Sequence, residues 1–229
     1  MLDDWLTPLL LSLRIAAVAT AVVFCLGTGV AWAMARWRWP GKQVLDTLFT
    51  LPLVLPPTVT GFVLLVLLGR NGPLGRLLGP GGVEILFTWW AGVVASAVVA
   101  FPLMYNAARA GLEGVDEALE KAARTLGASE ARIFFTVTLP LAWPGLGAGL
   151  VLSFARALGE FGATLMVAGN IPGKTQTLPI AVWAAVEVGD MRTAGLLVGI
   201  MLVFAFAVVW VSRTGTEGRF GRYRQVRRG

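Results

Sequence analysis

The sequence predicts an all-α polytopic membrane helix bundle of about five transmembrane helices. Of its 229 residues, 56% are hydrophobic and only 14% are charged, whereas a soluble domain carries about 25% charged residues. Several apolar runs reach the roughly 20 residues that a helix needs to cross a bilayer. Histidine is absent and Cys25 is the only cysteine, which removes an internal disulfide and the usual catalytic base and metal ligand. We therefore expect no catalytic residue and no metal site.

Five apolar runs qualify as spans, and each is interrupted differently. The first carries a single charge, Arg14, the second contains three prolines, and the fourth is interrupted by Arg156 and Glu160. A sixth run at 177–186 is too short to cross, so the choice between five and six spans stays open. The predicted spans are 9–35, 47–69, 85–108, 143–168 and 193–212.

The distribution of lysine and arginine predicts the orientation in a cell (inner) membrane. Thirteen of the 19 basic residues lie in segments 36–42, 109–132 and 213–229, and only four lie in the alternate loops. Positive charge marks cytoplasmic segments, so we expect the N-terminus outside and the C-terminus in the cytoplasm. Residues 1–212 then form the transmembrane domain. The basic tail 213–229 is interpreted as a cytoplasmic anchor beside anionic membrane lipid, with a DNA-binding arm as the alternative, and no nucleic-acid partner is expected.

A polar segment at about 111–141 separates the third and fourth spans. Asp116 and Ser129 are suited to cap two short helices, and Gly127 is suited to the left-handed position that ends the first one. Large apolar residues follow, including Ile133 and Phe134. An apolar tip on a stiff polar support favours a docking surface for another protein.

This segment resembles the EAA loop of ABC importer permeases, which docks on a separate ATPase subunit. The similarity rests on Ala122 and Ala123, Gly127, and Leu139-Pro140 at the family's spacing. Lys121 stands where the family's glutamate is usual, and Glu120 lies one place earlier. The residues that the resemblance implies for ATPase docking are Glu120, Lys121, Ala122, Ala123, Gly127, Ile133, Phe134, Leu139 and Pro140.

A second stretch, "ARALGEFGATLMVAGNIPGKTQTLPIAVW" (155–183), resembles the permeases of molybdate importers, with tungstate and sulfate importers as relatives. The resemblance implies a homodimer, two ATPase subunits and an extracytoplasmic oxyanion-binding protein. It also implies alternating access powered by ATP and Mg in the partner ATPase, with no cofactor bound by this chain. A sulfate or other anion permease is the alternative within this class.

Two places within the predicted spans could contribute to an anion pathway. Prolines at 52, 56 and 57 break the second span, and irregular backbone at membrane depth lines cavities or is packed in protein. Arg156 and Glu160 lie four residues apart on one helix face, either as part of the pathway or as a mutual ion pair. The candidate pathway residues are Thr58, Thr60, Arg156, Glu160 and Thr164.

Other classes of protein fit the sequence less well. "AGNIPGKT" (168–175) approaches a phosphate-binding loop, but Ala168 occupies the first required glycine and the segment follows a membrane span. A gradient-driven secondary transporter would need no docking loop and would often show inverted repeats. A membrane-embedded enzyme is disfavoured because histidine and clustered carboxylates are missing from the spans.

Overall fold

A computed structural model of the chain describes residues 5–36, 40–78 and 84–226, and no strand occurs in these ranges. The helices are α1 (Leu6–Arg36), α2 (Lys42–Thr50), α3 (Pro57–Leu68), α4 (Pro73–Leu78), α5 (Trp89–Glu113), α6 (Glu117–Thr125), α7 (Glu130–Ile133), α8 (Leu139–Leu158), α9 (Gly162–Ala168), α10 (Leu178–Glu187) and α11 (Met191–Val226). A 3₁₀ turn, Leu51–Leu53, follows α2, and a π-helical turn, Phe134–Thr138, joins α7 to α8.

Helix α5 forms the centre of the bundle and packs against α1 and α8. Its buried face carries Met104 and Tyr105, which pack with Val23 of α1 and Leu146 of α8 in one apolar cluster. Near the end of α5 and the start of α8, the two helices approach each other through Gly111 and Gly145. A Cβ atom on Gly145 would lie 2.7 Å from the Gly111 Cα, so the two backbones touch, as small residues allow in membrane bundles.

Five helical segments in the described ranges are long and apolar enough to cross a membrane, which agrees with the predicted number. They are Leu6–Arg36, Pro57–Leu77, Trp89–Glu113, Glu130–Leu158 and Met191–Trp210. Helix α10 is shorter, as the sequence predicts. The single charge of the first span, Arg14, stacks its guanidinium over the Trp89 ring at 4.0 Å, which compensates part of the cost of placing a charge there.

The second span is broken at its prolines, as the sequence predicts, but the predicted bounds of 47–69 are wrong. The chain forms α2, the 3₁₀ turn and then a break at Pro56 before α3 begins. Proline lacks a backbone N–H and its ring clashes with the preceding turn, so a continuous helix could not pass through this point. The candidate span instead begins at Pro57 and includes α3 and most of α4.

The predicted fourth span, 143–168, is also corrected. The helical segment begins earlier, at Glu130, runs through the π-helical turn into α8, and ends at Leu158. Residues 159–161 break the helix before α9. Helix α9, which follows the break, packs against α3, because a Cβ atom on Gly61 would lie 2.8 Å from the Ala163 Cα. Two interrupted spans therefore lie side by side.

Helix α1 contacts different parts of the chain at its two ends. Near its beginning, the Ser12 Oγ accepts a hydrogen bond of 2.7 Å from the backbone N–H of Leu178, at the start of α10. Leu9 packs against Leu178 and Ala181 in the same region. Near its other end, Arg36 contacts the segment between α5 and α8. Helix α11 continues to Val226, through the predicted boundary between domain and tail at 212–213.

Candidate functional site

We call residues 116–138, which comprise α6, α7 and the π-helical turn, the elbow. Its two corners are formed as the sequence predicts. The Asp116 Oδ1 accepts a hydrogen bond of 2.9 Å from the backbone N–H of Ala118, and the Ser129 Oγ accepts one of 3.4 Å from Arg132. Gly127 has φ +82°, the left-handed conformation that glycine adopts without a steric penalty. The predicted caps and helix end are confirmed.

The interior of the elbow holds a carboxylate. Glu120 is only 8% exposed, and its Oε1 accepts hydrogen bonds from Arg36 Nη2 and from Thr138 Oγ1, both at 2.5 Å. Ile133, the last residue of α7, is completely buried as well. Two residues that the sequence places in the docking set therefore face the body of the protein and not its surface.

The outward surface of the elbow is formed by other residues. Leu126, at the corner, is 88% exposed, and Leu119 and Phe135 are also exposed. Lys121 is exposed and pairs with Glu117 at 2.8 Å within α6. Of the remaining predicted docking residues, Ala122, Gly127 and Pro140 are exposed, while Ala123, Phe134 and Leu139 are half-buried.

An ion pair and a ring contact connect the parts of the elbow. Arg124 of α6 donates two hydrogen bonds to Glu130 of α7, at 2.5 and 3.0 Å, across the glycine corner. The acceptor carboxylate raises the pKa of Arg124 above its ordinary value. Phe134 packs edge-on against Trp32 of α1 with ring centroids 5.5 Å apart. The exposed apolar tip thus rests on a fixed support.

A second polar network, which the sequence reasoning missed, ties α2 to α5. Arg109 contacts Asp46 at 2.5 Å and Glu113 at 2.8 Å, and the Tyr105 hydroxyl donates to Asp46 at 2.6 Å. The hydrogen bonds from Arg109 and then from Tyr105 lower the pKa of Asp46. A lone aspartate at the edge of an apolar run was the available signal, since such a charge needs a partner.

The structure brings Arg156 and Glu160 together at the break between α8 and α9. Arg156 Nη1 lies 2.7 Å from Glu160 Oε2, so the predicted mutual ion pair is confirmed. No guanidinium N–H is aligned with that oxygen, which leaves Oε2 without a formal hydrogen bond. The other oxygen, Oε1, accepts a hydrogen bond of 2.8 Å from the backbone N–H of Ala163 and thereby caps the first turn of α9. The side chain of Glu160 is 1% exposed and that of Arg156 is 29% exposed.

The three threonines of the predicted pathway occupy the two helices that meet at this break. Thr58 is exposed at the start of α3. Thr60 and Thr164 are buried, and their hydroxyl oxygens have no hydrogen-bond partner among the described residues. A Cβ atom on Gly162 would lie 3.5 Å from Thr58 Cγ2, so α3 and α9 begin in contact. Both helix starts and the ion pair therefore belong to one region of the bundle.

An apolar helical bundle with a rigid polar elbow at one end has the architecture of a multi-pass membrane transport subunit of the ABC importer permease type. The family model of the binding-protein-dependent transport system inner membrane component matches residues 25–214. The chain belongs to this family. It is accordingly a multi-pass inner-membrane protein and a transport subunit, not an enzyme.

Named relatives extend this assignment. The chain is 48% identical over 209 residues to the putative molybdenum transport system permease protein YvgM of Bacillus subtilis, covering 91% of this chain and 92% of the relative. It is 45% identical over 219 residues to the molybdenum transport system permease protein ModB of Escherichia coli K12, covering 93% and 95%. The inward-facing MetNI methionine ABC transporter shares the fold, with a TM-score of 0.73, 17% identity, and coverage of 95% of this chain and 97% of that one.

Proposed function

We propose that this chain is the permease subunit of an ATP-driven ABC importer that carries molybdate, or the similar tungstate, across the inner membrane. The observation that carries the proposal is the identity of 45–48% to molybdenum permeases, over more than nine tenths of both chains. The bundle supplies a route across the membrane, and the elbow supplies a surface for a partner that hydrolyses ATP. This chain binds and conducts the oxyanion, and the ATPase subunit holds ATP and Mg.

The outward tip of the elbow is the proposed ATPase contact. Leu126 and Phe135 expose apolar surface on a segment that also carries exposed charges, and burying such surface contributes about 25 cal/mol per Å². Exposed apolar patches on a stiff support are typical of protein interfaces. We propose two copies of this chain in the importer, with one ATPase subunit docked on each elbow and an oxyanion-binding protein at the opposite end.

We propose that the elbow and the end of α11 lie in the cytoplasm and that the N-terminus lies outside. The excess of lysine and arginine on this side of the bundle supports that orientation. Single cysteines at Leu126 and at Gly173, in a Cys25→Ser background, would react with a membrane-impermeant maleimide from opposite sides. Labelling of the Leu126→Cys variant in intact cells would contradict the orientation.

The break between α8 and α9 is the proposed oxyanion pathway. The partly exposed guanidinium of Arg156 offers positive charge, and Thr60 and Thr164 offer hydroxyl groups that make no other hydrogen bond among the described residues. Glu160 offsets the charge of Arg156, so the anion is held weakly enough to be released, as conduction requires. Alternating access would follow when the ATPase pair closes and opens against the elbows.

The test of this function is oxyanion-dependent ATP hydrolysis by the reconstituted importer. With the ATPase and the oxyanion-binding protein encoded beside it, molybdate and tungstate should stimulate hydrolysis and uptake, whereas sulfate should not. Stimulation by sulfate alone would replace molybdate with sulfate as the substrate. Uptake by this chain in liposomes without an ATPase would refute the assignment to an ATP-driven importer.

Docking is tested separately by capture of the ATPase on the tagged permease. Leu126→Asp places a charge at the tip and should abolish capture, because a buried unpaired charge is costly. The matched control is Val188→Asp, at a residue that is 81% exposed and lies just after α10, away from the elbow. Equal capture by both variants would contradict docking through the elbow tip.

A further inference from the structure

Glu120 combines a position inside the docking segment with an inward orientation. It lies on α6, four residues after Asp116, yet its carboxylate is buried and accepts from Arg36 and Thr138. Arg36 is 84 residues away in the chain and ends α1, while Thr138 ends the π-helical turn. One carboxylate oxygen therefore joins three separate elements.

We propose that Glu120 is a positioning residue that fastens the elbow to α1, so that movement of the docked elbow is transmitted to the core of the bundle. This inference rests on the proposed function. In this arrangement Glu120 makes no contact with the ATPase. Its neighbour Lys121, exposed on the same helix, stands on the surface that the ATPase would meet.

The contacts of Arg36 support this assignment. Besides its bond to Glu120, its Nη1 lies 3.8 Å from Glu130 Oε2, and its guanidinium lies 5.6 Å from the centre of the Trp32 ring. The arginine therefore faces carboxylates from both α6 and α7. Its charge also suits the end of α1, where the backbone carbonyls give partial negative charge. Hydrogen bonds to charged partners are about twice as strong as neutral ones, so the bond from Arg36 to Glu120 is a strong polar link between α1 and the elbow.

The chain connections explain why such a link matters. The elbow is continuous with α5 through Gly114 and Val115, and with α8 through the π-helical turn, but α1 is joined to it only by side chains. Arg36 with Glu120, and Trp32 with Phe134, are the contacts described above. Helix α1 in turn packs along α5 and α8 through buried residues such as Met34. Without Glu120, α1 would keep only the Trp32–Phe134 contact and the 3.8 Å approach of Arg36 to Glu130, and the elbow would follow α1 less closely.

The π-helical turn contributes to the same geometry. It widens the helix over five residues, Phe134–Thr138, and its last residue is the one whose hydroxyl reaches Glu120. π-Helical turns are rare and concentrate at functional sites. Thr138 is buried, so its hydroxyl donates to Glu120 and not to solvent.

The test separates ATPase docking from coupling in the complete importer reconstituted in liposomes. Glu120→Gln keeps the shape of the side chain and removes its charge, and Arg36→Gln removes the charge of the partner. Both variants should capture the ATPase as the unaltered chain does. The amount of molybdate transported per ATP hydrolysed should fall about tenfold, the loss expected from removing a hydrogen bond to a charged group. The double variant should be no worse than either single variant, because both changes remove one interaction.

Control variants keep the result interpretable. Glu187→Gln makes the same change at an exposed carboxylate at the end of α10, away from the elbow, and should leave the coupling ratio unchanged. Thr138→Val should lower the ratio, whereas Thr138→Ser, which retains the hydroxyl, should restore it; these two variants also test the proposal if Glu120→Gln does not assemble.

Loss of ATPase capture in Glu120→Gln but not in Arg36→Gln would make Glu120 a direct contact and overturn the proposal. An unchanged coupling ratio in Glu120→Gln and Thr138→Val would also overturn it. Failure of the unaltered chain to capture an ATPase would instead refute the proposed function.

Discussion

Substitution of Glu160 tests how the break between α8 and α9 is stabilised inside the bundle. The carboxylate makes two interactions, with Arg156 at 2.7 Å and with the backbone N–H of Ala163 at 2.8 Å. Removing one partner of a buried ion pair costs about 3–5 kcal/mol, and losing a helix cap costs about 1 kcal/mol. We therefore expect Glu160→Ala to destabilise the protein by about 4 kcal/mol or more. Glu160→Gln should cost about 1 kcal/mol less, because its amide oxygen can still cap α9.

The assay is thermal unfolding of the purified importer in one detergent at one protein concentration. For a chain of this length, about 4 kcal/mol corresponds to a drop in the unfolding midpoint of roughly 10 °C. The double variant Arg156→Gln/Glu160→Gln should recover most of this loss, since it leaves no uncompensated charge. An unfolding midpoint for Glu160→Gln equal to that of the unaltered protein would refute the reasoning.

Uptake by the same variants separates a structural role from a role in the pathway. Arg156→Ala should abolish molybdate uptake, because the anion then meets no positive charge at the break, but it also leaves the buried Glu160 carboxylate without its partner. The double variant Arg156→Gln/Glu160→Gln removes that penalty, so it should assemble with the ATPase and still be inactive. If the double variant transports normally, Arg156 and Glu160 serve stability alone.

Three further predictions follow from other contacts. Gly145→Ala should separate α5 from α8 and lower stability by about 1–3 kcal/mol, whereas Gly147→Ala, whose Cβ would meet nothing within 4 Å, should have little effect on the unfolding midpoint. Gly127→Ala should strain the elbow corner by about 1–2 kcal/mol through its positive φ alone and weaken ATPase capture, while Gly127→Asn should be milder. Because hydrogen bonds from Arg109 lower the pKa of Asp46, its stabilising contribution is complete above the ordinary aspartate pKa of about 3.9 and is lost as the pH falls below it. Asp46→Asn should therefore make the unfolding midpoint less sensitive to acid below about pH 4.

Local chemistry made part of the elbow predictable from sequence. A cap such as Asp116 or Ser129 bonds to a backbone N–H within three residues, and Gly127 meets a conformational requirement of its own position. Both signals are complete within a short window of sequence. The number of spans was predictable for a similar reason, because bilayer thickness sets the length of the apolar runs.

Partners that lie far apart in the chain were not predictable. The resemblance placed Glu120 among the docking residues, but its orientation depends on Arg36, which approaches only after α1 has packed in the bundle. The boundaries of the second and fourth spans failed for another reason. The prolines indicated a break in the second span, but the bounds came from hydropathy, which averages over proline and glycine and so does not place the helix ends at Pro56 and at residues 159–161.

The two attachments of α1 restrict how the bundle can move. Its first turns hold the start of α10 through Ser12, and its last residue holds the elbow. A slide of α1 along its axis by one helical turn, about 5.4 Å, would carry Ser12 out of hydrogen-bonding range of Leu178, whose N–H now lies 2.7 Å from it. Either α10 travels with the helix or that bond breaks. A movement of the elbow is thereby transmitted along α1 to the start of α10, and a movement of α10 is transmitted to the elbow.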